Sequence, residues 1–200
     1  MAKKDYTAGS QRYMTPDTIY QPILDFEGVE KFDMDVACEN KNIPAKKYYT
    51  LNGLYAEDFF FQESTANGLT GAWEGLCFMN CPWDKCRHFL PKVLAEVERG
   101  CRVWAVLPSD RWETNYFQEN ILKNPNCFIF FMSQKQGFLV PESPIEKPKP
   151  SVKVILAYFG KDAKDKWAEF DWSFPLAGTT VYNALNLTQK QLNDLDCIRK

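Results

Sequence analysis

The stretch "GLCFMNCPWDKCRHFLPKVLAEVERGCRVWAVLP", residues 75–108, decides how the chain folds. It opens on a short apolar run that stops at Asn80 and suits a buried strand. From Asp84 to Arg99 the apolar residues Phe89, Leu90, Val93, Leu94 and Val97 recur at the spacing of one helix face. Gly100 follows where a helix needs a residue that accepts the left-handed conformation. "CRVWAVLP" (residues 101–108) is then a second apolar run, closed by a proline. Strand, helix, strand is the pattern of a crossover that brings two parallel strands side by side.

The same alternation extends outward on both sides. "TPDTIYQPIL" (residues 15–24) predicts a short helix with Thr15 as N-cap and Pro16 at the first position. "KFDMDVAC" (residues 31–38) reads as a strand ending in acids, and residues 113–122 as a helix. "CFIFFM" (residues 127–132) and "VKVILAYF" (residues 152–159) read as two further strands. The expected fold is α/β, a mostly parallel central sheet flanked by helices. The four prolines of "VPESPIEKPKP" (residues 140–150) exclude helix and central strand, so this segment is expected to be a surface loop or hairpin insertion. Residues 48–73 show no clear period.

With 200 residues, 45% of them hydrophobic and 15% aromatic, the chain suits one packed domain over residues 13–200, with a flexible terminus over residues 1–12. No apolar run approaches a membrane span, and the first dozen residues lack the apolar middle of a secretion signal. Seven cysteines, an odd number set in apolar stretches, suit buried thiols better than a disulfide framework. A soluble protein of the cytoplasm is expected. The net charge of −2 excludes a uniformly basic coat but not a locally basic face.

In parallel α/β sheets, ligands bind at the carboxyl ends of the strands, where the strand order reverses. Two groups fall at predicted strand ends. Asp33 and Asp35 share a strand face by the period of two, which favours a cationic or hydroxylated ligand, although one acid in a solvated turn needs no ligand. Asn80, Cys81, Pro82 and Trp83 have two readings. They form a strand-terminating turn with a core tryptophan, or a grip on a flat amine-bearing ring that Asn80 accepts from and Trp83 covers. Cys77, Cys81, Cys86 and His88 also invite a zinc reading, but Cys77 lies inside a strand and buried thiols account for the set. No metal is expected.

The ordered set "TPDTIYQPIL", "FDMDVAC", "YYT", "NGLTGAWEG", "CFMNCPW", "VWAVLP", "GFLV" and "PSVKVILAYFG" resembles the phage-type DNA adenine-N6 methyltransferases, the Dam-like family. The resemblance spans most of the chain. It implies a Rossmann-like class I methyltransferase fold and S-adenosylmethionine as cofactor. Thr15 and Pro16 would lie near the methionine end of that cofactor. Asp33, Asp35 and Ala37 would belong to its binding strand and turn, and Asn67 would stand where the family carries an acid before Gly-Leu. Asn80, Cys81, Pro82 and Trp83 match the Asn-Pro-Pro-aromatic catalytic motif, with Cys81 in place of the first proline.

The implied partner is double-stranded DNA with its target base flipped out, in a bacterial or phage-infected cell. Arg87, Arg111, Lys147 and Lys149, near the site edge, are placed to meet its phosphates, although basic residues are usually just solvated surface, and Trp112 reads either as core or as a wedge into the base stack. The same acceptor pair suits an RNA adenine or a protein glutamine, and binding without turnover would describe an inactive homologue.

Overall fold

The computed structural model describes residues 14–38, 41–50, 53–56, 61–62, 66–132, 136–138, 151–168 and 178–182. Residues 1–12, the proline-rich segment at 140–150 with Lys147 and Lys149, and Cys197 lie outside them. The elements in chain order are α1 (Asp17–Glu27), β1 (Phe32–Asp35), β2 (Ala45–Thr50), β3 (Gly53–Ala56), β4 (Phe61–Gln62) and β5 (Leu76–Met79). After a 3-10 turn at Trp83–Lys85 come α2 (Cys86–Glu98), β6 (Arg102–Pro108) and the short α3 (Asn115–Phe117), which widens into a π turn at Gln118–Leu122. β7 (Cys127–Met132), β8 (Gln136–Gly137), β9 (Ser151–Val152), β10 (Val154–Phe159), α4 (Ala163–Ala168) and β11 (Gly178–Tyr182) complete the described chain.

Nine strands form one sheet in the order β11-β7-β10-β6-β5-β1-β2-β3-β4. The centre, β6-β5-β1-β2, is parallel throughout. Everything outside it is antiparallel: β10 against both β6 and β7, β11 against β7, and β3 against β2 and β4. The expected α/β class is met with a mixed sheet whose parallel part is its core. The direction of β10 follows from its connection. Between β7 and β10 the chain carries β8 and β9, which pair antiparallel with each other, and a hairpin-like return of this kind leaves neighbours antiparallel.

Side-chain alternation divides the interior into two layers. Cys77 and Met79 of β5, Val103, Ala105 and Leu107 of β6, and Ile155, Ala157 and Phe159 of β10 pack with Phe89, Leu90, Val93 and Val97 of α2. Leu76 and Phe78, Trp104 and Val106, and Leu156 and Tyr158 face the other way, onto Ile19, Ile23 and Leu24 of α1. The spacing read along α2 is thus the face it buries, and Gly100, at φ 104, closes it with its N–H on the Val97 carbonyl. The two aligned layers make a three-layer body with helices on both sides of the sheet.

α1 runs against the parallel strands. Its last residue, Glu27, has a fully buried side chain at the amino end of β6, where its carboxylate accepts from Arg102 Nη1, Trp104 Nε1 and Lys166 Nζ, each at 2.8 Å. Gly28, at φ 66, ends the helix there. The amino end of α1 consequently reaches the carboxyl ends of the strands. The helix starts at Asp17 after Pro16, and no side chain caps it. The expectation that Thr15 is its N-cap is therefore corrected, because the Thr15 hydroxyl is engaged elsewhere.

The six described cysteines, Cys38, Cys77, Cys81, Cys86, Cys101 and Cys127, are buried thiols. Among the described residues no helix is long and apolar enough to cross a membrane.

Candidate functional site

The chain leaves β1 toward β2 on one side and leaves β5 toward β6 on the other. Strand order therefore reverses between β1 and β5, and in sheets of this kind the ligand crevice lies beyond the carboxyl ends of the strands at such a point. β1 ends in Asp35, opposite Phe78 of β5, and the Val36 N–H donates to the Phe78 carbonyl at 3.0 Å. Two residues beyond Phe78 stands Asn80. The two neighbouring strands thus bring Asp35 and Asn80 to the same, carboxyl, end of the sheet.

Asp35 is 4% exposed. Its Oδ1 accepts the Ala37 N–H at 3.2 Å. Burial pushes its carboxyl up to about 7, opposed by the hydrogen bonds from Ala37 and from the Cys38 side chain. A carboxyl poised near neutrality at a strand end is a group that a hydroxyl-bearing ligand can stabilise in its charged form.

Asn80 is half-buried, and its Nδ2 donates to Thr15 Oγ1 at 2.8 Å. Thr15 is itself 2% exposed, and its carbonyl accepts from Asn42 Nδ2 at 2.8 Å. Asn42 belongs to the segment linking β1 to β2, so Thr15 bridges the two sides of the crevice just ahead of α1. The positive end of that helix dipole points at the opening, which favours an anionic ligand group there.

The chain then turns sharply. Pro82 holds φ at −52° and its carbonyl accepts the Lys85 N–H at 2.8 Å, which starts the 3-10 turn and leads into α2. Cys81 points inward, with Sγ 3.6 Å from Cys86 Sγ, and burial raises its thiol well above the ordinary range. A buried side chain of modest volume fits this position. Trp83 is half-buried and packs against both layers at the end of the sheet. Its indole is thus partly committed to packing and partly accessible.

The Asn67–Thr70 turn closes one side. Asn67 Oδ1 accepts the Leu69 N–H at 2.9 Å, and its carbonyl takes the N–H groups of Thr70 and Gly71. At Gly68 an added Cβ would stand 1.8 Å from the Val36 carbonyl oxygen, so this turn lies directly against the segment leaving β1. Trp73 Nε1 ties it down through the Gly68 carbonyl at 2.8 Å.

Asp33 is not brought to the crevice. Its Oδ2 accepts the Leu76 N–H at 2.8 Å and its Oδ1 pairs with Lys46 Nζ at 2.7 Å, at the amino end of β5. Partial burial works against its ionisation, but the Lys46 ammonium and the Leu76 N–H prevail and hold its carboxyl below the usual range. The period of two does not hold along β1, since Phe32 packs in the layer of α1 and Met34 in that of α2, and Asp33 lies at the opposite strand end from Asp35, against Leu76 and Lys46.

Arg111 and Trp112 lie in the turn leaving β6, at the same sheet end as Asn80. Trp112 is 54% exposed, and Arg111 pairs with Asp110 at 3.5 Å. The Thr114 hydroxyl holds that turn through the Arg111 carbonyl at 2.6 Å. Arg87, on the first turn of α2, is exposed and donates to His88 Nε2 at 3.1 Å. Among the described residues no three His, Cys, Asp or Glu side chains gather as a metal-binding group.

Asn42 and Trp73 are the site-supporting residues that sequence reasoning missed. A lone asparagine in a loop carries no pattern that announces a bond to Thr15, 27 residues away. Trp73 could have been flagged as a large apolar residue inside "NGLTGAWEG". Against protein-family models and against curated proteins, the chain matches none.

Proposed function

We propose that the protein is an S-adenosylmethionine-dependent methyltransferase acting on the N6 amine of adenine in DNA, with a Rossmann-like methyltransferase fold. One observation carries the proposal: Asp35, Asn80 and the amino end of α1 converge on the crevice where strand order reverses. The donor set suits the cofactor. Asp35 offers an acceptor to hydroxyl groups, and the start of α1 favours a carboxylate. When bound, S-adenosylmethionine supplies an electrophilic methyl on a sulfonium.

The remaining work falls to this chain. An amine conjugated to a purine is a poor nucleophile, because its lone pair is delocalised into the ring. Asn80 Oδ1 and the carbonyl of Cys81 or Pro82 accept its two hydrogens, which favours a tetrahedral nitrogen and frees the lone pair for in-line attack. The surplus proton leaves to water, so no histidine is required. Trp83 offers the exposed part of its indole to the face of a base taken out of the stack, since the target nitrogen is shielded inside a duplex. Arg87 and Arg111 contact phosphates from the rim.

The test is transfer of a labelled methyl group from the cofactor to DNA, RNA and protein offered separately, with calorimetry for cofactor binding. Label in DNA adenine supports the proposal. Label only in RNA or in a protein side chain moves the substrate class, and absence of cofactor binding removes the reading.

A further inference from the structure

We propose that Thr15 is the positioning residue for Asn80: its hydroxyl holds the Asn80 amide nitrogen, so that the amide oxygen is the end presented to the crevice. The inference rests on the methyltransferase reading for its consequence in turnover, but not for the orientation itself.

A carboxamide has one accepting end and one donating end, and they are nearly the same shape. Only the oxygen can accept from an amine. Asn80 oriented the other way would turn two N–H groups on the substrate's own N–H groups, and activation would be lost. Something must therefore choose the end. The Asn80 Nδ2 lies 2.8 Å from Thr15 Oγ1, across 65 residues of chain. With Nδ2 spent there, Oδ1 is left for the opening.

Thr15 is built to hold still while it does this. It is 2% exposed, its carbonyl is fixed by Asn42 Nδ2 at 2.8 Å, and Pro16 after it, at φ −70°, accepts the Ile19 N–H at 3.0 Å to begin α1. The hydroxyl is thus anchored from the β1–β2 connection on one side and from a helix on the other. This also accounts for a threonine that precedes a helix without capping it.

Thr15→Val keeps the shape and removes the acceptor, whereas Thr15→Ser keeps the hydroxyl. In full-length protein, Thr15→Val should lower kcat about tenfold to a hundredfold, as loss of an orienting partner does. KM for the methyl acceptor and melting temperature should stay near wild type, with most of kcat recovered in Thr15→Ser. A second readout is independent of turnover. The Asn80 side-chain amide resonance, assigned by its disappearance in Asn80→Asp, should shift in Thr15→Val and return in Thr15→Ser.

Full kcat in Thr15→Val overturns the proposal, as does a kcat that falls only in proportion to the folded fraction. An unmoved Asn80 resonance overturns it as well. If the wild-type protein transfers methyl to no substrate, the functional reading fails, and the resonance alone then decides whether Thr15 orients Asn80.

Discussion

If the proposed cofactor binds at Asp35, its binding should depend on pH, with a magnitude that follows from the burial of this carboxyl. Burial holds this carboxyl at about 7, against an ordinary value of 3.8. Cofactor hydroxyl groups that donate to it favour the ionised form, so binding expels a proton wherever the empty site is protonated. With one group titrating near 7, about nine tenths of the empty protein is protonated at pH 6 and about one tenth at pH 8. The dissociation constant should therefore be roughly tenfold weaker at pH 6 than at pH 8, about 1.4 kcal/mol.

Folding stability without cofactor should run in the opposite direction. A carboxyl whose folded value is raised favours the protonated folded state, so its contribution is present below the unfolded value and is lost as pH rises toward about 7. Titration calorimetry at several pH values, in buffers of different ionisation enthalpy, would read both the affinity and the proton released. Melting of the cofactor-free protein over the same range supplies the other profile. Asp35→Asn should flatten both. An affinity that does not change between pH 6 and pH 8, with no proton released at pH 6, would refute the reasoning.

Three further outcomes are expected. Asn80→Ala should leave melting and cofactor binding nearly intact while methyl transfer falls by about two orders of magnitude; a loss of activity matched by a loss of folded protein would return Asn80 to a purely structural role. Glu27→Ala strands Arg102 and Lys166 beside a vacated buried site and should cost about 3–5 kcal/mol in denaturant unfolding, so an unchanged midpoint would show that solvent replaces the carboxylate. Trp112→Ala, at an exposed position, should leave melting unchanged and weaken DNA binding by about 1–3 kcal/mol if the indole stacks on a base, whereas Arg111→Ala should reduce the salt slope by about one; unchanged binding isotherms for both would assign the turn to plain surface.

The parts of the fold that could be read from the sequence are those where burial imposes a period. β5, α2 and β6 form their own core, so their apolar spacing records the faces they bury, down to the glycine that ends α2. β2, "AKKYYT", escaped notice because Lys46 and Lys47 interrupt it and are used in ion pairs with Asp33 and Glu74. The direction of β10 could not be read either, since an apolar strand looks the same in both directions and only the β7–β10 connection decides. At the site, Asn80 and Asp35 were legible as polar residues ending apolar strands. Thr15 was misread for a physical reason: Thr-Pro before an apolar period is a local capping signal, but the hydroxyl answers to a partner 65 residues away. A period of two groups Asp33 with Asp35, but β1 does not keep that period, and Asp33 pairs with Lys46 and the Leu76 N–H instead.

β10 joins β6 to β7, which otherwise share no pairing. The crevice is assembled from residues 15–83, yet the sheet that supports it is completed only when Val154–Phe159 slide between two strands made earlier. During synthesis, β6 and the apolar run of β7 would both present open edges until that late segment leaves the ribosome, and open apolar edges are templates for pairing between chains. A fragment cut just before Val154 would retain every residue of the candidate site yet leave β6 and β7 without the strand that pairs both, and should be prone to aggregate.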